Sequence, residues 1–408
     1  MNNNIELLAP AGDLERLKIA FAYGADAVYM AGKNLGMRAK AKNFDYLEME
    51  EGIAHAHKLG KKVYITANIF AHNEDFDGME EYFLQLQKLG ADAIIISDLG
   101  VFSVARQVIP NMDIHISTQM NNTNFAAVNF WQQLGATRVV LARELSIEEI
   151  SQIKKNVKNM ELEAFVHGSM CMAYSGRCLL SNYLSQRDAN RGECSQPCRW
   201  CYELVEKKSG EALPIVEDER GSYILNSKDM CLIRHLPRII NAGITSLKIE
   251  GRMKTSYYVG AVVKAYRQAL DDYFKDEELY NSKLDYYFDQ LRKVSHRDYT
   301  TGFFFGKMKE NDHNYSGNDH TKTYDFVALI LEEDENGFCQ IEQRNKFIVG
   351  DTIEIIRAQG ENFTQTVETI LNEKGEEVLE APHPQQKLRL KINAPVSKYD
   401  MVRKAISE

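Results

Sequence analysis

A cluster of cysteines is the part of this sequence best suited to chemistry. Five of the seven cysteines fall within 31 residues, at Cys171, Cys178, Cys194, Cys198 and Cys201, and Cys231 follows a little later. Arginines, serines and glutamines surround them, so the segment is too polar for a core in which cysteine acts as a small hydrophobic side chain. Clustered thiols in a polar segment indicate metal binding or redox chemistry.

Two kinds of metal centre compete for these thiols. Structural zinc takes four ligands in a closed tetrahedron and is typically held by CxxC pairs, whereas an iron-sulfur cluster takes four thiolates over more varied spacings. Cys198 and Cys201 have CxxC spacing, and no second pair in the sequence matches it. The spacing therefore favours an iron-sulfur cluster modestly and leaves zinc as the alternative.

The elements that must position these residues alternate between strands and helices. Glycine followed by a short apolar strand recurs at Gly24, Gly90, Gly135 and Gly243, and glycine just after a helix supplies the left-handed turn that ends it. Together with the apolar runs at 5–8, 63–67, 114–116 and 162–166, this makes about eight buried strands. The alternation predicts a closed parallel (β/α)8 TIM-like barrel, with a doubly wound open sheet as the alternative.

Polar side chains follow six of the predicted strands at the point where each strand ends. The carboxyl ends of barrel strands meet at one rim, where active sites are built. We therefore expect a site at this rim, formed by Thr66, Asn68, Ser97, Asp98, Ser117, Thr118, Gln119, Arg143, Glu144, His167, Ser169, Glu250 and Arg252.

The chain is predicted to divide into three parts. Residues 1–274 form the barrel, with residues 167–201 as a cysteine-rich insertion, and residues 275–325 are a connector. From 326 to 408 apolar residues recur with a period of two between turn signals such as Asn336-Gly337. That pattern predicts a small C-terminal all-β barrel domain.

Composition limits the class of protein. The 408 residues are 44% hydrophobic and 26% charged, with a net charge of −9, which argues against a protein that coats nucleic acid non-specifically through phosphate neutralisation. No window of about 18 apolar residues and no signal-like N-terminus is present, so we expect a cytoplasmic protein with no membrane partner. Thiols in that compartment are kept reduced, which again favours metal binding.

Several motifs together resemble one known family. Glu163 to Cys171 reads EAFVHGSMC, and Gly176 to Ser181 reads GRCLLS, which fills every position of the signature of the collagenase-like peptidase family U32. Ala9-Pro10-Ala11-Gly12, Asn226 to Asp229, Lys248 to Arg252 and Thr300 to Phe303 are also similar to that family. The C-terminal segment resembles the C-terminal domain of its longer members.

The resemblance implies chemistry beyond the peptidase name. The family includes RNA hydroxylases and ubiquinone-pathway hydroxylation factors that carry a 4Fe-4S cluster, and Arg187 to Trp200 is most similar to its bacterial tRNA hydroxylation members. Those members make 5-hydroxyuridine at the wobble position and depend on prephenate. On this basis the cluster ligands are Cys171, Cys178, Cys194 and Cys198, with Cys201 and Cys231 as alternates.

Roles for other residues follow as expectations. Arg177, Arg187, Arg191 and Arg252 are suited to hold a small carboxylate co-substrate or RNA phosphates bidentately. The proposed catalytic residues at the rim are His167, Asn68 and Gln119, and the proposed partners are tRNA and a second copy or a family paralogue. Charge for RNA binding is expected from the C-terminal domain, at Lys346, Arg357, Lys387, Arg389, Lys391, Arg403 and Lys404.

Two other functions stay open. A peptidase needs a nucleophile or a metal-bound water with a base, and neither HExxH nor GxSxG occurs in the sequence, although His167 with Cys171 or Cys178 is a conceivable thiol pair. The third alternative is a non-catalytic RNA-binding or scaffold protein.

Overall fold

The protein is described by a computed structural model. The residues it describes are 5–33, 35, 43–171, 173–174, 177–187, 189, 194–199, 204–205, 212–213, 226–307, 313–314, 321–333 and 337–406.

A closed parallel barrel forms the first domain, as the sequence predicts. Eight of its strands pair in the order β12-β1-β2-β3-β4-β5-β6-β7, and β12 also pairs with β7. Ser246 on β12 closes the ring, because it pairs with Glu6 on one side and Glu163 on the other. The strands up to the C-terminal domain are β1 (Glu6–Pro10), β2 (Ala27–Ala31), β3 (Lys62–Ala67), β4 (Ala93–Ile96), β5 (Asp113–Ile116), β6 (Arg138–Val140), β7 (Glu161–Ser169), β8 (Leu204–Val205), β9 (Ala212–Leu213), β10 (Asn226–Ser227), β11 (Asp229–Cys231), β12 (Ser246–Ile249), β13 (Tyr299–Thr300) and β14 (His313–Asn314).

Helices cover the outside of the barrel, and side chains that suit helix N-termini start most of them. Asp13, Asp45, Asn124, Ser146 and Thr255 each accept a hydrogen bond from a backbone N–H of the first turn. The helices are α1 (Leu14–Ala22), α2 (Tyr46–Lys58), α3 (Met79–Leu89), α4 (Leu99–Val108), α5 (Phe125–Gln133), α6 (Ile147–Asn156), α7 (Leu180–Ser185), α8 (Leu236–Asn241), α9 (Ser256–Lys275), α10 (Glu277–Ser282) and α11 (Leu284–Arg292).

The C-terminal domain is a curled antiparallel sheet with its own apolar core. Its eight-stranded sheet has the order β19-β18-β24-β15-β16-β23-β20-β21, and β17 pairs with β22. The strands are β15 (Tyr324–Glu333), β16 (Phe338–Gln343), β17 (Phe347–Ile348), β18 (Thr352–Ile356), β19 (Phe363–Thr366), β20 (Ile370–Leu371), β21 (Glu377–Val378), β22 (Glu380–Ala381), β23 (Lys387–Lys391) and β24 (Met401–Ala405).

The interface between the two domains corrects one expectation from the sequence. Arg403 is fully buried there, with its guanidinium bonded to Glu354 at 2.7 Å, Gln290 at 2.6 Å and Tyr257 at 3.3 Å. A cation enclosed in this way is not available to RNA phosphates. Its role is to hold β24 against α9 and α11.

Candidate active site

Two amides form a reciprocal pair at the barrel mouth. Asn68 donates from Nδ2 to Oε1 of Gln119 at 2.6 Å, and Gln119 donates from Nε2 to the carbonyl of Asn68 at 2.9 Å. The hydroxyl of Ser117 also donates to Oε1 of Gln119, at 3.1 Å. Gln119 is buried, so these bonds fix the orientation of both side chains. Two residues that the sequence assigns to the rim site are thus in direct contact.

Arg252 lies at the same rim, just beyond β12. Its Nη1 donates to the hydroxyl of Thr66 at 3.3 Å, and the side chain is buried. The backbone carbonyl of Arg252 approaches Gly12 so closely that a Cβ at that position would lie 2.3 Å from it. Only glycine allows this close approach between the loops that follow β1 and β12. The guanidinium of Arg252 lies against Thr66, which is two residues before Asn68.

His167 occupies a different environment. Its ring packs among Tyr258, Tyr266 and Tyr299, and Nδ1 lies 3.4 Å from the hydroxyl of Tyr266 on α9. Burial lowers the pKa of His167 to about 3, against the opposing effect of Asp229. The structure therefore places a neutral imidazole in the packing between β7 and α9 rather than beside the amide pair.

The cysteine-rich insertion is attached to the mouth at two places. Arg143, after β6, donates to the carbonyl of Ser169 at 2.6 Å and lies 3.9 Å from the centre of the Phe165 ring. Arg177 stacks over Phe70 at 5.1 Å, and Phe70 follows Asn68 by two residues. A cation over an aromatic ring is an attractive contact, so the insertion is held beside the amide pair.

Serines join the two halves of the insertion. The hydroxyl of Ser195 lies 3.0 Å from that of Ser181 and 2.7 Å from that of Ser185, and the Ser195 backbone N–H donates to Ser181 at 2.9 Å. We call these three residues the serine clasp. Because Ser195 follows Cys194, the clasp holds the turn with Cys194 and Cys198 against α7, which begins two residues after Cys178.

The four predicted ligands are accessible thiols. Cys171 and Cys194 are exposed, and Cys178 and Cys198 are half-buried. In the described ranges, no three His, Cys, Asp or Glu side chains lie close enough together to hold one metal ion.

Cys231 and Cys201 are the two alternate ligands. Cys231 is buried 4.0 Å from the hydroxyl of Tyr266, and burial raises the pKa of its thiol to about 12, which disfavours the thiolate that a metal requires. Cys201 and the predicted phosphate ligand Arg191 lie outside the described residues. Arg187, two residues after α7, is partly buried.

Family models match the chain nearly from end to end. The model for peptidase family U32 matches residues 12–314, and the model for the C-terminal domain of that family matches residues 322–403. The chain belongs to peptidase family U32. Within the described part of this U32 chain, no helix has the length and apolar character needed to cross a membrane.

Curated relatives of this U32 chain carry names from RNA modification. The tRNA hydroxylation protein P1 of Bacillus subtilis is 44% identical over 400 residues, which cover 98% of this chain and 94% of that protein. The tRNA hydroxylation protein P of Escherichia coli is 39% identical over 418 residues, covering 92% and 91%. A 23S rRNA 5-hydroxycytidine synthase of Escherichia coli is 36% identical over 270 residues, covering 66% of this chain and 40% of that protein.

Inside the U32 barrel lies an ion network that the sequence did not reveal. Glu163 accepts from Lys248 at 2.6 Å and from Arg138 at 3.1 Å, and Arg138 also contacts Glu6 at 2.5 Å. Tyr64 donates to Glu6 at 2.5 Å as well. The sequence does contain one sign of this network, which is the presence of charged side chains within apolar strand runs. Such side chains are almost never buried unless they are paired.

Charge pairing in the network outweighs the cost of burial. Burial alone raises the pKa of Glu163, but Lys248 and Arg138 together hold that pKa below its usual range. Burial lowers the pKa of His115 well below its usual range, and Arg138 and Lys248 add to the effect. The network is therefore ionised at Glu163 and neutral at His115. The ammonium group of Lys248 also lies 4.6 Å from the centre of the Tyr29 ring, and this cation–π contact connects the network to β2.

Proposed function

We propose that this protein hydroxylates a pyrimidine base of RNA in the cytoplasm, converting wobble uridine of tRNA to 5-hydroxyuridine. The observation that carries the proposal is the identity of 44% and 39%, over nearly the whole chain, to two proteins named for tRNA hydroxylation. The mouth suits a flipped-out base, because Asn68 is half-buried there, is held in place by Gln119, and carries an amide of the kind that binds base edges. Arg252 is suited to a small carboxylate co-substrate such as prephenate.

The proposal includes a 4Fe-4S cluster held by Cys171, Cys178, Cys194 and Cys198. Replacing the hydrogen on C5 of uracil by a hydroxyl group requires an oxygen atom and a two-electron oxidant, which acid-base side chains do not provide. A cluster held by these four thiols would supply electron transfer to an external oxidant. Metal sites commonly form together with the fold around them. We therefore expect the insertion to bring its four thiols together as the cluster assembles.

A thiol peptidase has weaker support. It requires an imidazole that accepts the proton of the nucleophile. His167 is closest in sequence to Cys171, but a buried imidazole with a pKa of about 3 is a poor base at neutral pH.

Nucleoside analysis of tRNA tests the proposal. Cells that lack the protein and any second copy are expected to lose 5-hydroxyuridine, and the wild-type gene is expected to restore it. Cys171→Ser and Arg252→Ala should fail to restore it. Cys339→Ser is the matched control, because Cys339 is buried in the C-terminal domain, where its thiol donates to the carbonyl of Leu390.

Two outcomes contradict the proposal. Unchanged 5-hydroxyuridine in the deletion strain would remove the tRNA assignment. Cleavage of gelatin by the purified protein without iron or RNA, abolished by one cysteine change, would favour the peptidase. For the cofactor, anoxically purified protein is expected to contain iron and acid-labile sulfide, and stoichiometric zinc without sulfide would exclude the cluster.

A further inference from the structure

The short helix α7 turns its apolar side chains toward solvent. Its buried residue is Ser181, a member of the serine clasp, whereas Tyr183 is 84% exposed. Leu179, just before the helix, is 67% exposed, and Tyr174 is 50% exposed. A surface helix ordinarily buries its apolar side and exposes its polar side, so this reversed arrangement indicates a surface that contacts something else.

The aromatic face is defined as the exposed side chains of Tyr174 and Tyr183, with the exposed Leu179 between them in the sequence, and it belongs to the segment that is anchored beside the candidate active site. Arg177 belongs to the same segment, and its stacking on Phe70 holds that segment next to Asn68. The backbone N–H of Arg177 donates to the carbonyl of Tyr174 at 3.0 Å, which fixes a turn between the two residues. A ligand whose reacting group enters the mouth therefore has this face within reach of its flanking parts.

Charge identifies the kind of ligand. The chain has 58 acidic residues and a net charge of −9, yet none of the 24 residues from 164 to 187 is acidic. Arg177 is exposed, and the Nε of Arg187 is buried without a hydrogen-bond partner in the described structure. The segment combines exposed tyrosines with arginines and has no carboxylates. It is therefore complementary to a ligand that carries both many negative charges and aromatic rings.

We propose that the aromatic face stacks the unpaired bases that flank the target nucleotide, so that the substrate is recognised as single-stranded RNA in a loop. This inference rests on the proposed function and adds the residues that bind the bases on either side of the target. Unstacked loop bases commonly stack on aromatic side chains and arginine planes, whereas paired bases are not available for such contacts.

Binding of an RNA stem-loop tests the inference. The probe is a 17-nucleotide hairpin with 2-aminopurine in its loop, titrated with full-length protein. Tyr183→Ala and Tyr174→Ala are each expected to weaken binding on the order of tenfold and to reduce the quenching of 2-aminopurine. Tyr183→Phe should keep both, because it keeps the ring. Tyr286→Ala, an exposed tyrosine on α11, is the matched control.

The outcomes separate this inference from the function it rests on. If wild-type protein modifies tRNA while both alanine variants bind the hairpin normally, the aromatic face is not the stacking surface. An equal loss of affinity for the hairpin and for a fully paired duplex also overturns it. If the alanine variants alter self-association in sedimentation and leave RNA binding intact, the face contacts protein. Unchanged 5-hydroxyuridine in the deletion strain would instead remove the underlying function.

Discussion

At the scale of single residues, Glu163 is a buried carboxylate whose charge depends on pairing with neighbouring cations. Its side chain is fully buried and is neutralised by Lys248 and Arg138, which are themselves almost inaccessible. Burying an ion is unfavourable unless a partner of opposite charge and good geometry replaces the lost hydration. The three side chains therefore depend on one another, and removing one leaves the others uncompensated.

Glu163→Gln is expected to destabilise the protein by about 3–5 kcal/mol, because two buried cations lose their shared carboxylate. Urea unfolding of the full chain measures the change. Glu161→Gln is the matched control: that carboxylate also contacts Arg138, at 2.7 Å, but is 55% exposed, so its loss should cost less than about 1 kcal/mol. Equal effects of the two changes would contradict the account.

The same residue predicts a pH dependence. The pKa of Glu163 is lower in the folded protein than in the unfolded chain, so its contribution is complete above the unfolded value of roughly 4.3 and is lost as pH falls through the folded value. Wild-type unfolding free energy should therefore decline below about pH 4 more steeply than that of Glu163→Gln. Parallel acid profiles for the two proteins would show that another group controls this region.

At the scale of elements, the serine clasp determines where the second half of the insertion lies. Ser181→Ala removes the acceptor of the Ser195 N–H and a partner of its hydroxyl. We expect amide exchange in α7 to become on the order of tenfold faster in the metal-free protein, since a buried polar group loses its partner. Ser151→Ala is the control, because the Ser151 hydroxyl bonds within its own helix, to the Ile147 carbonyl. Unchanged exchange in α7 would show that other contacts hold the insertion.

At the scale of the whole molecule, the two domains are joined by buried polar contacts as well as by apolar packing. Besides Arg403, Tyr23 donates to the carbonyl of Ile356 at 2.6 Å, and Lys264 donates to the side-chain oxygen of Asn362 at 2.6 Å. Burial lowers the pKa of Lys264 to about 8, although Asp400 opposes the shift. Groups enclosed in this way favour one relative position of the domains.

Arg403→Met is expected to weaken docking of the C-terminal domain by about 3–5 kcal/mol, because Glu354 loses its principal buried partner. Calorimetry should then resolve two unfolding transitions in place of one. Lys391→Met is the matched control, since Lys391 is a half-exposed partner of Glu368 at 3.5 Å. A single transition at the wild-type temperature would show that apolar packing alone holds the domains.

The proposed RNA contacts also depend on how charge is distributed over the whole molecule. Residues 326–408 contain fifteen acidic and ten basic residues, and one of those basic residues is the buried Arg403. Lys346 and Lys404 are paired with Glu380 and Asp351. The charge expected from this domain is therefore largely compensated, and the acid-free segment beside the mouth is the better candidate for attracting phosphate.

The sequence by itself determined the local elements and the order of the barrel. Apolar runs and glycine junctions are local patterns, and parallel strands that close into a barrel must end at one rim. That is why Asn68 and Gln119, 51 residues apart, were predicted at the same site and are found hydrogen-bonded. The cysteine cluster was also visible in the sequence, because its meaning depends on residue type and spacing.

Only the tertiary structure decided which way particular side chains point. The pairing of β7 with β12 shifts register between Lys248 and Ile249, so that His167 lies opposite Ile249 while Phe165 lies opposite Lys248. Such a shift places an extra residue on one strand and turns the following side chain to the other face. His167 consequently packs under α9 instead of entering the mouth. Arg403 and the Glu163 network are similar cases, because burial and charge pairing depend on residues brought together from distant parts of the chain.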